Sequence, residues 1–447
     1  MMRYLLCLLP LLVTASAVSA EEKRPNFVLI LADDLGWGDV GFNGRTEWKT
    51  PNLDKLGSQG TIFKRWYTAA VVCAPSRAAL LTGKYGIHNG VTGNNDDLPV
   101  DQVTLAQALK KHGYATALFG KWHHGRPRPG IKDYLHPLDL GFDEFMGFTD
   151  ARHAWEQYPR ELWFGREMKP VEGYANILFT DRALEFLKAK KTQPFFLYLP
   201  YIATHFHIQA PPEDVAEHKG KFQEKDPAKP VNATYAAMVT RLDKEVGRVM
   251  KTLDDLGLAD NTLVLFSSDH GATFEGGNQG ASAYHDSNRP FRGQKRTLWE
   301  GGIRVPGMVR WPGHVPAGKV SEEIIHNIDV LPTFLAAAGV EPEASWKVDG
   351  RNLLPVWRGQ SKAPPRTLFW EWRVEGMYQL AAMQGDLKLV ITGNNRPELF
   401  NLANDPAERR SVIAEHQALA RTMERDLRAW LATETEASKW GKTPAKP

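Results

Sequence analysis

The stretch Asn26 to Asp34, NFVLILADD, decides the fold. Its run from Phe27 to Ala32 has no polar face, so it reads as a strand buried on both sides, the kind found in parallel sheets covered by helices. Three more runs read the same way: ATALF (Ala115 to Phe119), PFFLYLP (Pro194 to Pro200) and TLVLFSS (Thr262 to Ser268). Helical patterns lie between them. LAQALKKHG places Leu105 and Leu109 on one face and ends at Gly113, and Met238, Leu242, Val246, Met250 and Leu253 recur at helical spacing before Gly257. This alternation predicts an α/β layer fold.

The polar residues beyond these runs are placed alike. Asp33 and Asp34 follow the first, Lys121 and His123 the second, His205 lies beyond the third, and Asp269 and His270 follow the fourth. Open α/β sheets bind ligands outside the carboxyl ends of their strands. Taken singly, DDLG makes a fair turn and SDHG a fair helix start. Together the four predict one site on one sheet edge.

Outward from this core, the ends bound the rest. Arg3, an apolar stretch from Tyr4 to about Val13, and small residues at Val18, Ser19 and Ala20 predict a secretory signal over residues 1–20. Its apolar part is shorter than the roughly 18 residues of a spanning helix. The expectation is an exported protein, periplasmic or extracellular, free of the membrane after cleavage. Cys7 leaves with the signal, so Cys73 becomes the sole cysteine and no internal disulfide can form. A net charge of +3 over 447 residues gives no field that would recruit nucleic acid. After the Pro-rich stretch around Lys362 to Arg366 the chain changes character. A hairpin is expected around Gly385 and Asp386, ELFNL as a short strand, and a closing helix with Leu419, Met423, Leu427, Trp430 and Leu431 on one face. The predicted organisation is a catalytic domain over 21–362, a small α+β domain over 363–437 and a polar tail over 438–447.

Within CAPSRAALLTG, Pro75 suits the first turn of a helix ending near Gly83, which puts Cys73 at or just before its N-terminus. Backbone N–H groups there favour an anion and lower a thiol's pKa. Arg77, one turn in, adds a fork of donors for oxyanions. A plain cysteine nucleophile and a buried inert thiol both remain open on these residues alone.

Here the chain resembles the type I sulfatases of the alkaline phosphatase superfamily, over nearly its whole mature length. Cys73 to Arg77 matches their CxPSR signature, followed by the usual Leu81, Thr82 and Gly83. NFVLILADDLGWGD, TPNLDKL at Thr50, GKWHHG at Gly120, HPLDLGFDEFMGF ending at Phe148, SSDHG at Ser267 and RGQKRTLWEGGIRVP at Arg292 follow in family order. The resemblance implies a large mixed, mostly parallel sheet flanked by helices, with a smaller C-terminal α+β domain. It implies that a maturation enzyme oxidises Cys73 to formylglycine, whose hydrated aldehyde is the nucleophile. It also implies a metal site of Asp33, Asp34, residue 73, Asp269 and His270. The carboxylates suit Ca²⁺ or Mg²⁺, whereas His270 supplies a nitrogen neither prefers, and many relatives have asparagine there.

By the same resemblance Arg77 and Lys121 hold the hydrated aldehyde and His123 is the base that restores it. Lys295 and His205 face the sulfate, His205 as proton donor to the leaving oxygen. The family commonly shows Pro-His-x-Pro where this chain reads Ala203, Thr204, His205, Phe206, His207, which leaves His207 as an alternative. His124 stands where many relatives have leucine. Lys121, His205, Lys295, His88, Arg152 and His153 are the expected substrate contacts. Asn89, Asn94, Asn95, Trp155, Tyr158, Arg160, Trp163, Arg166, Trp370, Trp372 and Arg373 are further candidates. The expected function is hydrolysis of a sulfate ester on a sulfated carbohydrate. The alternatives are a phosphate or phosphonate monoester hydrolase on the same fold, for which a second set of metal ligands is not visible, and a non-catalytic binder of sulfated glycans.

Overall fold

Residues 24–125, 135–374 and 377–438 are described by a computed structural model. The expected signal, residues 126–134 of the candidate substrate stretch and all but the first residue of the expected tail lie outside them. The described strands of the large sheet are, in chain order, β1 (Asn26–Ala32), β2 (Thr61–Tyr67), β3 (Ala115–Lys121), β4 (Glu144–Phe148), β5 (Glu161–Phe164), β6 (Glu167–Pro170), β7 (Phe195–Pro200), β8 (Thr262–Ser268), β9 (Arg304–Val305), β10 (Gly307–Arg310) and β11 (Lys319–His326). They lie in the order β11-β2-β10-β8-β1-β7-β3-β4-β5-β6, with β9 beside β2.

The four runs read from sequence form the parallel heart of this sheet, β8-β1-β7-β3, which β4 extends. Period-two alternation explains why β1 is apolar throughout. Val28, Ile30 and Ala32 join the core on one face with the long helix Val231–Asp255, while Phe27, Leu29 and Leu31 join the other with the helices Cys73–Thr82 and Val330–Ala337. Each fully buried Leu, Ile or Val contributes about 2 kcal/mol. The outer strands β5, β6 and β10 pair antiparallel. Strands β3 and β4 approach closely at Gly120 (φ +139°) and Gly147 (φ +151°), where a Cβ on Gly147 would lie 1.9 Å from the Gly120 oxygen. Only glycine fits both places.

A second sheet, β12 (Thr367–Val374), β13 (Met377–Gln384), β14 (Leu387–Thr392) and β15 (Glu398–Asn401), is an antiparallel meander packed under the helix Gln417–Leu431. Its hairpin turns at Gly385 and Asp386, as the sequence predicts. Strand β12 is new relative to the sequence reading, and it reassigns two candidates. Leu368, Trp370 and Trp372 alternate onto one buried face against Tyr67, Val71, Val72 and Leu298, so both tryptophans are core rather than substrate contacts. Trp370 also donates from Nε1 to the Thr68 oxygen at 2.6 Å. Between the sheets, buried Lys388 is paired at 2.9 Å with both Glu300 and Glu408, and the Tyr67 hydroxyl donates to Glu300 at 2.7 Å.

Candidate active site

The residues beyond the parallel strands converge at one edge, and all are buried: Asp33, Asp34, Lys121, His123, His205, Asp269 and His270, with Lys295 and Arg77 beside them. Asp34 and His123 each sit two residues past a strand with left-handed backbone, φ 61° and 73°. Such a conformation costs a non-glycine residue roughly 1–3 kcal/mol and persists where the surroundings impose it.

Cys73 begins the helix Cys73–Thr82, in which every residue is buried. Asn94 accepts from the Ala74 N–H at 3.1 Å, so it caps this helix. Gly83 (φ 68°) closes the other end by donating to the Ala79 oxygen. The Ser76 hydroxyl donates to the Asp269 carbonyl, and Asn327 Nδ2 to the Ser76 oxygen at 3.1 Å, pinning the helix to the loop after β8 and to the turn after β11. The Cys73 sulfur lies 3.2 Å from His270 Nε2 and 3.5 Å from Asp33 Oδ1.

Three carboxylates face three permanent cations. Arg77 donates from Nε and Nη2 to Asp269 Oδ2 at 3.0 and 2.9 Å, and from Nη1 to the Lys121 carbonyl at 3.0 Å. Lys121 Nζ pairs with Asp33 at 2.6 Å and Lys295 Nζ with Asp34 at 3.0 Å. Burial pushes the Asp33 carboxyl up, but Lys121, Arg77, His205 and Lys295 together hold it well below the ordinary range. Asp34 goes the other way, because burial and its neighbours Asp33 and Asp269 outweigh Lys295 and His270.

One ligand atom each from Asp33, Asp34, Cys73 and His270 lie within 4.8 Å of one another. Carboxylate oxygens converging this closely, with Asp34 pushed up by burial and by Asp33 and Asp269, fit a divalent cation. Asp269 lies beside them: Oδ2 serves Arg77, while Oδ1 accepts from the Asp34 N–H at 3.2 Å and lies 3.6 Å from His270 Nε2. Burial would lower His270, but Asp269, Cys73 and Asp34 raise it to about 9.

The two histidines expected to handle protons differ in their contacts. Among the described residues neither nitrogen of His123 has a hydrogen-bond partner, and burial with Lys121, His124 and Arg77 nearby holds its pKa well below 6.5. It is a neutral imidazole free to accept. His205 is also lowered, by burial and then by Lys295. Its Nδ1 lies 2.7 Å from the Phe206 oxygen, which accepts only, so Nδ1 carries the proton of the neutral ring and Nε2 is a bare acceptor 3.8 Å from Asp34. Even with Asp34 3.8 Å away and Asp33 pulling its pKa up, burial and Lys295 prevail, so His205 holds no proton on Nε2 for a leaving oxygen.

Other expected contacts lie elsewhere or are engaged. His88 Nδ1 bonds to Asp349 at 2.8 Å and Nε2 to Thr433 at 2.7 Å, so both its nitrogens tie surface segments together. Asn89 bonds to Thr82 and the Lys84 carbonyl. His153 Nε2 meets the Glu161 oxygen at 3.1 Å with its ring against Phe148, while Arg152 is exposed. Arg166 pairs with Asp139, and Arg373 with Glu371 and Glu434. Trp155 does approach the site, packing on Phe206 at 5.3 Å. His124 is wholly buried with both nitrogens unpartnered among the described residues, and burial plus Arg77 lowers it to about 3.

Comparison with known proteins agrees with this geometry. Residues 25–340 match the Sulfatase family model, and residues 292–435 the model for the N-sulphoglucosamine sulphohydrolase C-terminal region. The chain belongs to the sulfatase family. N-acetylgalactosamine-6-sulfatase of Homo sapiens is 34% identical over 433 residues, spanning 89% of this sulfatase and 78% of the relative. Steryl-sulfatase of Rattus norvegicus is 30% identical over 551 residues, spanning 96% and 93%. Among solved structures, Ps i-CgsB in complex with k-i-k-neocarrahexaose has a TM-score of 0.85 at 31% identity, covering 94% of this chain and 96% of that one. The phosphonate monoester hydrolase of Agrobacterium radiobacter has a TM-score of 0.68 at 21% identity, covering 92% and 96%, a likeness of fold alone. This sulfatase is a sulfuric ester hydrolase with the expected mixed, mostly parallel sheet and smaller antiparallel domain.

Several residues around the sulfatase site were not read from sequence. Glu275 lies 3.5 Å from Lys295 and 2.7 Å from Arg296; against burial, these cations hold it down at about 2. Gln157 donates to the His205 carbonyl at 2.9 Å, and Asn288 bonds at once to Ala272 and Gly293, joining the loop after β8 to the loop of Lys295. These are long-range pairings, for which spacing carries no signal. Asn288 and Gln157 read as ordinary loop polars until the fold brings their partners close.

Proposed function

We propose that this sulfatase hydrolyses a sulfate ester on a sulfated carbohydrate, with residue 73 as nucleophile. The observation that carries this reading is the convergence of Asp33, Asp34, Cys73 and His270 at the start of one buried helix, flanked by Arg77, Lys121 and Lys295. When present, formylglycine at position 73 supplies a hydroxyl nucleophile and a Ca²⁺ or Mg²⁺ held by Asp33, Asp34, residue 73 and His270, with Asp269 beside them, polarises the ester and lowers that hydroxyl's pKa. Arg77 and Lys121 orient residue 73 and hold its charge. Lys295, a cation that burial would lower but Asp34 keeps charged, offsets negative charge developing at the bridging oxygen. His123, neutral and unpartnered, accepts a proton from residue 73. His205 becomes a donor at Nε2 once an anionic sulfate lies beside it and raises its pKa.

The carbohydrate class is supported by the relatives named for N-acetylgalactosamine-6-sulfate and by the neighbour complexed with a neocarrahexaose. Exposed Arg152 and the packed Trp155 and His153 are candidates for holding further sugar units. Export to the periplasm or outside, after removal of residues 1–20, belongs to the same proposal. Among the described residues no helix is long and apolar enough to cross a membrane.

The test is mass spectrometry of the tryptic peptide from Trp66 to Arg77, made in a host with a working maturation system, with paired rates on sulfate and phosphate esters of one alcohol. An aldehyde at residue 73 and preference for the sulfate ester are expected. A thiol retained there, while a control sulfatase is converted, would sink the nucleophile. Preference for the phosphate ester would move the activity to the monoester hydrolase reading.

A further inference from the structure

On the sheet edge opposite the candidate active site, a cavity of about 750 Å³ opens between the turn after β10 and the segment Arg358 to Gln360. Register fixes its side: β10 runs antiparallel to β8, so Arg310 at its end pairs with Val264 near the start of β8, whereas Asp269 follows the end of β8. Arg310 is only 5% exposed. Its Nε donates to Gln59 Oε1 at 3.1 Å and its Nη1 to the Ala259 carbonyl at 3.0 Å, both uncharged acceptors. Arg358 stands over the Trp311 ring, 5.5 Å from its centroid, and its buried Nε has no hydrogen-bond partner. Among the described residues neither guanidinium is ion-paired. Burial lowers Arg310, and Asp254 and Asp260 offset this only in part.

A buried charge without a counter-charge is expensive unless something binds it. Two guanidiniums lining one cavity, Arg310 with Nε and Nη1 already bonded and Arg358 without an ion pair, can still offer donors to a tetrahedral oxyanion, and Arg suits this better than Lys because its donors are fixed in a plane. We infer that this cavity binds a sulfate group, carried on a sugar or as free inorganic sulfate, at a site separate from the active site. The inference does not depend on which ester the active site cleaves. Asp260, an exposed acid on the cavity wall, offsets part of the Arg310 charge without pairing with it.

The test uses the full chain and selenate, a tetrahedral dianion with its own anomalous X-ray signal. A selenium peak between Arg310 and Arg358 is expected. In calorimetric titration with inorganic sulfate, Arg358→Gln weakens one class of site at least tenfold, while kcat/KM on a small aryl sulfate stays within twofold. Arg358 is the residue to change because Arg310 also holds Gln59 and Ala259 in place. A peak confined to the active site, or unchanged titration in Arg358→Gln, overturns the inference. The two sources separate in a Lys295→Ala background, which weakens the active site's own hold on anions. Tighter binding of a sulfated monosaccharide assigns the cavity to the glycan; equal or tighter binding of inorganic sulfate assigns it to the free anion; binding of neither overturns the proposal.

Discussion

His123 and His205 are both buried and both neutral, yet their nitrogens face different tasks. Because His123 has no partner to lose, His123→Ala is expected to leave the melting temperature nearly unchanged while kcat falls about 10²- to 10⁴-fold. Its lowered pKa fixes the sign of the pH dependence. The neutral base persists as pH falls through 6.5 and is lost only lower, so the acid limb of kcat/KM should lie below 6.5, and a limb above 7 would assign control to another group. For His205 the expectation is conditional on ligand: the ring carbon signals should report a neutral imidazole at pH 6 in the free protein and a protonated one when a sulfated ligand is bound. A ring that stays neutral with ligand would leave proton donation to Lys295. At this scale the sequence was informative where a polar residue followed an apolar run, as for Asp33, Asp269 and Lys121. It could not say that Lys295, 261 positions from Asp34, would be that carboxylate's partner. Nor could it say that His88 would be consumed by Asp349 and Thr433.

The helix Cys73–Thr82 depends on both of its ends. Gly83 holds φ 68°, and a Cβ there would lie 2.8 Å from Val348 Cγ1. Gly83→Ala should therefore lower stability by about 2 kcal/mol, read as a shifted urea midpoint at unchanged slope. At the joint between the two sheets, burial and the neighbouring Glu300 carry Glu408 up to about 7 against the pull of Lys388. A carboxyl raised in the folded state contributes stability that is full below about 4.5 and is lost as pH rises through about 7. Glu408→Gln, which cannot ionise, should flatten the melting temperature between pH 5 and 8; an unchanged profile would place the pH sensitivity elsewhere. The elements legible in advance were those with an unbroken apolar run, a helical period or a turn signal: β1, β3, β7, β8, the hairpin at Gly385, and the helices Val231–Asp255 and Gln417–Leu431. Strand β12 was passed over because its inward Trp370 and Trp372 look like ligand-facing aromatics until the face they cover is known. Strands β2 and β10 are set by antiparallel partners distant in sequence, which periodicity cannot supply.

Across the whole molecule, the parallel strands hold three carboxylates and three cations in one buried volume, and the added divalent charge would balance an ester anion and a deprotonated hydroxyl together. Stripping metal with a chelator should abolish turnover and lower the melting temperature, and Ca²⁺ or Mg²⁺ should restore both. A protein equally active and stable after chelation would contradict the ligand set. The architecture as a whole was foreseeable because strand-end chemistry and the segment from Cys73 to Arg77 point to one sheet edge. The smaller sheet's union with it through Lys388 and Trp370 was not.

Cys73 is only 1% exposed, within a helix whose every residue is covered. That burial imposes a timetable. Any enzyme that must grip the sulfur has to act while this segment is still an open chain, before the second sheet seats Val71 and Val72. Under the proposed conversion of residue 73, folding and modification compete in time, and a molecule that folds first is sealed as a thiol. Extending residence in the unfolded state, by slower translation or by holding chaperones, should raise the converted fraction, whereas adding the modifying enzyme to folded thiol protein should convert none.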